Sequence, residues 1–337
     1  MKILSPIPAG SGAHVLHTEL SRCISGYRVR PFSPWWTLLP PALPAFSSDR
    51  VDLIHSHADY GAFFKRPRVP LVVTAHGYML DRFMRAYSSP LQYLHYRTDL
   101  RLFVRMSLAM ADQVVAVSRF VADMLRQDLG FRGRVRVIHN GVDSERFSPA
   151  KTPRRAGPFR VLYCGNLKRA KRPDLLVPLA NALGRGFEIQ YTAGLVGGGL
   201  LKGRLAGDAA ELRCLGNVAH RDMPVLYQSV DALFMPSVRE GFGLCVVEAM
   251  ACGLPVVAAD ASALPELVHP EKGGYLQAID DVAAFARSLR QLTDVPELAR
   301  NMGQYNRAVV EQRFTLERMV ADYRQLFEET LDTGSRR

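Results

Sequence analysis

Two glutamates, Glu240 and Glu248, flank a glycine-rich loop and could bind the hydroxyl groups of a ligand. Gly241 and Gly243 lie between them, before a helix that the pattern predicts over residues 244–251. Glycines there let backbone N–H groups approach a phosphate, which the helix dipole also favours. Two carboxylates would repel a polyphosphate, so the hydroxyls of a sugar and a ribose suit them better. An exposed Glu240 and a Glu248 paired with a cation would fit the same spacing.

The residues around this loop predict one strand, helix, strand unit of a parallel sheet. A short apolar run over residues 232–235 stops at Pro236, and a second apolar run covers residues 255–259. The helix between them is closed by Gly253. A βαβ unit of this kind is typical of a doubly wound α/β fold.

Residues 229–268 resemble the signature of the GT-B glycosyltransferases, specifically the large retaining family 4, in the pattern P-S-x-x-E-G-F-G-L-x-x-x-E-A-M-A-C-G-x-P-V-V. The resemblance implies two Rossmann-like, doubly wound domains that face each other across a cleft. It implies that Glu240 orients the hydroxyls of the donor sugar and that Glu248 holds the ribose. The donor-binding residues between them are Gly241, Phe242, Gly243 and Leu244.

Two further site residues are expected in the first part of the chain. Gly12 lies in a glycine turn between an apolar start and a predicted helix, and tightening of that turn is the alternative to a role in binding. His76 follows an apolar run in the sequence TAHGY, at the carboxyl end of a predicted parallel strand, where open α/β sheets bind ligands. A buried histidine bonded to backbone would be the alternative. The resemblance implies that both residues face the cleft, with His76 towards the donor sugar.

The stretch that follows the predicted strand at residues 159–163 repeats the phosphate-binding arrangement with Gly165. The cations that could neutralise a diphosphate there are Lys168, Arg169, Lys171 and Arg172. In the family an arginine and a lysine grip the diphosphate here. This chain keeps Lys171, but has Asn166 in the arginine position and Arg172 where glycine is common. The cations that could replace the missing charge are Lys168 and Arg169.

The chemistry expected of this site needs neither a metal nor a cofactor. No Asp-x-Asp occurs in the sequence, so Lys171 and the helix N-terminus after Gly243 would neutralise the leaving diphosphate. A glycosidase-like double displacement would need Glu240 as its nucleophile. The resemblance instead implies that the acceptor attacks on the face that the diphosphate leaves, with His76, Glu240 and Lys171 as the catalytic residues.

Length and charge indicate two domains with different partners. The 337 residues correspond to about two domains, and residues 1–150 carry +8 of the net charge of +11. We expect an acceptor-binding domain over 1–150, a linker over 148–158, and a nucleotide-sugar-binding domain over 151–314. Residues 315–337 would form a helix that crosses back to the first domain, followed by a disordered tail.

The basic first half also suggests contact with an anionic membrane or a lipid-linked acceptor. Arginines and aromatic residues alternate over residues 78–111, next to the basic segment 65–70. Trp35 and Trp36 are either an exposed anchor or buried side chains. The sequence has no apolar run of about 20 residues, so we expect a cytoplasmic protein, and the basic first half would bring it to the inner face of the plasma membrane. No nucleic-acid module is present, so we expect no nucleic-acid partner.

The combined prediction is a retaining glycosyltransferase with a nucleoside-diphosphate sugar as donor, UDP-sugar before GDP-mannose. It would transfer a hexose or N-acetylhexosamine to a lipid-linked or cell-envelope glycan. One alternative is a sugar phosphorylase or other nucleotide-sugar enzyme on the same fold. Another is a binding protein that retains the donor pocket without transfer.

Overall fold

The computed structural model describes residues 1–10, 12–47, 49–151, 157–193, 201 and 203–334. The chain divides into two compact units, which we call unit 1 (Met1–Asn140 with Glu317–Arg337) and unit 2 (Gly141–Leu316). Residues 152–156 of the predicted linker and residues 335–337 of the predicted tail lie outside the described residues.

Unit 1 contains a parallel six-stranded sheet with the strand order β2-β1-β3-β4-β5-β6. The chain starts near one edge and reverses direction across the sheet at β1, so the sheet is doubly wound. Its strands are β1 (Ile3–Pro8), β2 (Tyr27–Phe32), β3 (Leu53–His57), β4 (Leu71–Ala75), β5 (Gln113–Ala116) and β6 (Val135–Val137). Its first helices are α1 (Gly12–Cys23), α2 (Pro90–Arg97), α3 (Asp99–Met110) and α4 (Arg119–Gln127).

Unit 2 contains a second parallel six-stranded sheet, in the order β12-β11-β10-β7-β8-β9. This is the Rossmann order, with the reversal between the neighbouring strands β7 and β10. The strands are β7 (Phe159–Tyr163), β8 (Phe187–Thr192), β9 (Glu211–Gly216), β10 (Ala232–Met235), β11 (Val256–Ala259) and β12 (Gly274–Gln277). The helices are α5 (Leu176–Leu183), α6 (Met223–Gln228), α7 (Leu244–Ala251), α8 (Val282–Asp294) and α9 (Pro296–Arg313). The predicted pair of Rossmann-like sheets is therefore confirmed.

The last helix, α10 (Leu316–Gly334), belongs to unit 1 except for its first residue. Tyr323 and Phe327 are fully buried on its inner side. The Tyr323 hydroxyl lies 3.2 Å from Thr74 Oγ1 on β4, so the helix completes the core under the unit 1 sheet.

Residues 25–47 contain β2 and two 3-10 helices (Pro34–Leu38 and Pro40–Ser47), none of which was predicted from the sequence. The strand was missed because two arginines and Pro31 interrupt its apolar pattern. It is an edge strand, paired only with β1, and an edge tolerates a residue that lacks an N–H group.

The two tryptophans of this segment are on the surface. Trp35 is 78% exposed and Trp36 is 44% exposed, with the ring of Trp36 edge-on to Phe46. Between the two alternatives for these side chains, the structure favours exposure.

None of the helices in the described part of the chain is long and apolar enough to cross a membrane.

Candidate active site

The loops that follow β7 and β10 form the candidate site of unit 2. These strands are neighbours at the point where the sheet order reverses, with Leu233 paired to Leu162. Loops after adjacent strands diverge at such a point and leave a crevice at the carboxyl ends of the strands, where ligands bind. The first loop carries Lys171 and the second carries Glu240, so the fold brings together residues 69 positions apart.

Lys171 and Glu240 form an ion pair in which Lys171 Nζ donates to Glu240 Oε1. The side chains are 24% and 10% exposed, so the pair is shielded from most of the solvent. Burial acts to lower the pKa of Lys171, but the Glu240 carboxylate outweighs it and the pKa is raised. The ammonium group therefore stays charged, and it has three N–H donors of which Glu240 uses one.

The Glu240 loop is held by a bond to the backbone. The backbone N–H of Glu240 donates to Ser262 Oγ at 2.9 Å, and Ser262 itself has a left-handed backbone with φ of 53°. A serine in that conformation is unfavourable unless its surroundings impose it. Ser262 thus anchors the backbone from which the Glu240 side chain extends.

Glu248, one turn inside α7, is buried and has a partner on each carboxylate oxygen. Tyr227 donates its hydroxyl to Oε2 at 2.9 Å, and His220 Nε2 lies 2.8 Å from Oε1. Burial, followed by Cys164 and the Glu248 carboxylate, raises the pKa of the Tyr227 hydroxyl well above its ordinary value, so it remains a donor. The His220 side chain is 36% exposed, whereas Tyr227 is fully buried, so the Oε1 side of Glu248 is the one nearer to solvent.

The glycine loop before α7 is tightly packed. Gly243 has φ of 101°, and a Cβ atom there would lie 3.2 Å from a methyl group of Leu267. Phe242 is buried and meets the ring of Phe314 edge-on. Only the backbone of Phe242 is therefore available to a nucleotide-sugar donor. Gly241 and Leu244 are less deeply buried than Phe242.

The predicted phosphate-binding residues of the loop after β7 fall into two groups, one beside Lys171 and one exposed to solvent. Gly165 has φ of 146°, and its N–H donates to Thr192 Oγ1 at 2.9 Å. A Cβ atom on Gly165 would lie 3.8 Å from Lys171 Cδ, so a glycine leaves room beside the lysine. Asn166 is exposed, as are Lys168 and Arg169.

Arg172 is not available to a diphosphate, which corrects its inclusion among the neutralising cations. Its guanidinium is about 10% exposed, donates from Nη1 to Asp280 Oδ1 at 2.6 Å, and donates from Nε and Nη2 to Asp174. The backbone φ of Arg172 is 56°, which explains why a glycine is common at this position in the family.

Replacing Arg172 therefore has a predictable effect on stability. Arg172→Gly and Arg172→Ala both lose the bonds to Asp174 and Asp280. Only glycine, however, adopts the left-handed backbone conformation at this position without strain. We expect the glycine variant to be more stable than the alanine variant by about 1 kcal/mol. Urea unfolding midpoints measure this difference, and an alanine variant at least as stable as the glycine variant would contradict the backbone explanation.

The two predicted residues of unit 1 follow β1 and β4. Gly12 opens α1 and is exposed, and a Cβ atom there would meet nothing within 4 Å. His76 comes directly after the end of β4, is half-buried, and places its Nε2 3.1 Å from His17 Nε2 on α1. Burial, then His57 and His17, lower the pKa of His76 well below its ordinary value, so the ring is neutral.

Comparison with known proteins agrees with the fold and the signature. The model for glycosyl transferases group 1 matches residues 144–309, and the model for glycosyltransferase family 4 matches residues 5–146. The chain belongs to these GT-B glycosyltransferases, as the sequence predicted.

Among its relatives is a D-inositol 3-phosphate glycosyltransferase of Streptomyces avermitilis, 33% identical over 58% of this chain and 47% of that protein. The chain thus spans about half the length of that relative. The solved structures with the same fold include a sucrose-phosphate synthase of Thermosynechococcus elongatus, with a TM-score of 0.81, 19% identity and coverage of 99% and 100% of the two chains. Anabaena HepE, solved with UDP-glucose, has a TM-score of 0.79, 21% identity and coverage of 98% and 100%.

Several residues that shape the site were not singled out from the sequence. Ser262 and Tyr227 bond Glu240 and Glu248 respectively, and Thr192 bonds the backbone of Gly165. A serine or tyrosine between apolar residues carries no signal of its own, since the contact exists only once the strands are aligned. The contact of His220 with Glu248 was likewise not predicted.

Proposed function

We propose that this protein is a retaining glycosyltransferase that moves a hexose or N-acetylhexosamine from a nucleoside-diphosphate sugar to a lipid-linked or cell-envelope glycan. The observation that carries the proposal is the shielded ion pair of Lys171 and Glu240, which lies where the strand order reverses. The buried Glu248 follows Glu240 by eight positions. This arrangement provides one cation for a leaving diphosphate and two fixed carboxylates for hydroxyl groups.

The donor is proposed to be a UDP-sugar, with GDP-mannose as the next choice. The shared fold with HepE, whose structures contain UDP and UDP-glucose, supports a uridine nucleotide. Glu248 would hold the ribose from its Oε1 side, joining or replacing His220. Gly165 and the N-terminus of α7, which begins after Gly243, would lie along the diphosphate.

In the proposed reaction, Lys171 stabilises the charge that develops on the diphosphate as the glycosidic bond breaks. The Lys171 ammonium uses one N–H for the bond to Glu240 and would direct the other two to the diphosphate. Glu240 orients the sugar hydroxyls, and His76 contacts the same sugar. The acceptor hydroxyl attacks on the face that the diphosphate leaves and passes its proton to the departing phosphate oxygen, so the configuration is retained without a covalent sugar–enzyme intermediate. Charge neutralisation by Lys171 and the helix N-terminus makes the step independent of a metal.

A single assay tests this proposal. Purified protein is incubated with UDP-, GDP- and ADP-sugars, with and without a lipid-linked acceptor, and released nucleotide and product are measured, with excess chelator in a parallel set. We expect acceptor-dependent release of UDP that chelator leaves unchanged. Loss of turnover that Mg²⁺ restores would contradict metal independence. Phosphate-dependent formation of a sugar phosphate would indicate a phosphorylase, and donor binding without turnover a binding protein.

We also propose that unit 1 contacts an anionic membrane at the cytoplasmic face, where lipid-linked acceptors are presented. Three basic residues of the predicted membrane surface bond other residues of unit 1 instead. Lys65 bonds Asp112, and Arg101 bonds Asp128. Arg66 donates to the carbonyls of Ser47 and Asp49. The residues of these segments that remain exposed include Arg82, Phe83, Arg85, Leu91 and Leu94.

Liposome flotation measures this contact. We expect the protein to float with vesicles that contain anionic phospholipid at low salt, and to lose most of that binding when Arg82 and Arg85 are both changed to Glu. Arg185→Glu combined with Arg221→Glu, two exposed arginines of unit 2, makes the same change of four charges and should leave binding intact. Absence of flotation at low salt would reject the membrane contact.

A further inference from the structure

The histidine at the end of β4 is the outer member of a buried chain of hydrogen bonds that crosses unit 1. His76 Nε2 lies 3.1 Å from His17 Nε2, and His17 Nδ1 lies 2.9 Å from the Tyr27 hydroxyl. That hydroxyl is 2.7 Å from His55 Nδ1, and His55 Nε2 is 2.8 Å from Thr74 Oγ1. The chain continues to the Tyr323 hydroxyl on α10.

The inner members of this chain are fixed in place by packing. His17, His55 and Thr74 are fully buried, and the rings of His17 and His55 stack with centroids 4.3 Å apart. Ser5 Oγ, on β1, lies 2.6 Å from His17 Nδ1. Every nitrogen of the two buried rings therefore has a hydrogen-bond partner, and neither ring can turn without leaving one unpaired.

None of these groups is suited to carry a charge. Burial is the largest cause that lowers the pKa of His17, and the same holds for His55. Burial also raises the pKa of the Tyr27 hydroxyl well above its ordinary value, and that of Tyr323 likewise. The chain thus holds neutral rings and neutral hydroxyls. It cannot pass a proton inwards, because the final acceptor would leave an ion in the core.

A neutral chain of this kind has a consequence for His76. One proton is shared between the two facing Nε2 atoms, so Nε2 of His76 is used towards the core whichever ring carries that proton. Nδ1 of His76 bonds no residue that the structure describes. His57, which pairs with Asp59 at 3.3 Å, lies beside the ring with centroids 5.1 Å apart, so its charge opposes protonation of His76.

We propose that His17 is a positioning residue, which the Tyr27–His55–Thr74 chain holds so that His76 stays neutral, in one tautomer, with only Nδ1 offered to the substrate. This inference rests on the proposed function for the role of His76, but the hydrogen-bond arrangement itself does not. The substrate hydroxyl that His76 meets would be bonded by a nitrogen whose direction is set from the core.

The decisive variants are His17→Leu, which removes the bond to His76, and His17→Gln, which can restore a bond towards it. Tyr27→Phe removes the next link and leaves the bond between Ser5 and His17. His95→Leu changes an exposed histidine on α2 and serves as the control. Each is compared with the unchanged protein for kcat, for KM of the donor, and by two-dimensional ¹H–¹⁵N spectra of the histidine rings.

We expect His17→Leu to lower kcat by about 10- to 100-fold with little change in KM, as when a reacting group loses the residue that orients it. His17→Gln should recover part of that loss, and Tyr27→Phe should have an intermediate effect. In the spectra, His76 should show one neutral tautomer in the unchanged protein and a mixture in His17→Leu. Should His17→Leu not fold, His17→Gln and Tyr27→Phe give the same comparison.

An unchanged His76 tautomer together with an unchanged kcat in His17→Leu and Tyr27→Phe would overturn the inference. If the unchanged protein transferred no sugar at all, the proposed function would fail instead. The ring spectra would still decide whether His17 sets the state of His76.

Discussion

Glu240→Ala is expected to abolish sugar transfer. The carboxylate is shielded and held by Lys171 Nζ, and Ser262 anchors the backbone at Glu240. Loss of a fixed group that acts on the sugar in the transition state should lower kcat by about 1,000-fold or more. Product formation with the preferred donor measures this.

Glu248→Ala is the comparison that separates chemistry from binding. Its carboxylate is held by Tyr227 and His220 on the other side of the loop, where the ribose is proposed to bind. This variant should mainly raise KM for the donor, with a smaller change in kcat. Near-normal transfer by Glu240→Ala, with intact folding by circular dichroism, would reject the assignment of Glu240.

Lys171→Ala has the second largest expected effect. Lys171 is the shielded cation in the loop after β7, and its removal leaves the developing charge on the diphosphate without its proposed partner. A loss of about 100- to 1,000-fold in kcat is expected, the range for one preorganised donor in a shielded site. The same assay under saturating donor measures it.

Lys168→Ala and Arg169→Ala are matched controls, because both cations belong to the same loop and both are exposed. If either of these substitutions lowered kcat as much as Lys171→Ala, the exposed cations would be the ones that replace the arginine missing at Asn166. Lys171→Ala also leaves Glu240 without its cation, so a melting curve must accompany it. Lys171→Met combined with Glu240→Gln, which removes both charges, should melt higher than Lys171→Met alone.

Local pattern was sufficient for the elements that form the candidate site of unit 2. The strand at Ala232–Met235 and the helix at Leu244–Ala251 match their predicted bounds, since each is an apolar run between residues that stop it. The helix cap at Ser118 depends on a signal of the same local kind, since a serine commonly precedes a helix and its Oγ accepts the N–H of Val121 at 3.1 Å. Such signals act over a few residues and so are readable in the chain itself.

The signature with Glu240 and Glu248 likewise identified the family and its pair of Rossmann-like sheets without any contact being known. By itself, then, the sequence determined the fold class, the family and the residues of the glycine loop, because these depend on residue types at short spacing. The sequence could not determine which cation pairs with Glu240. Nor could it show that Arg172 forms ion pairs with Asp174 and Asp280.

The tertiary structure decided those points because they depend on strand order. Lys171 reaches Glu240 only because β7 and β10 are neighbours, and His76 reaches His17 only because α1 packs beside the end of β4. His17 lies on a helix face that looks ordinary in sequence. The partners of a buried polar group are set by burial and by the directions of hydrogen bonds, and both arise only when distant segments pack together.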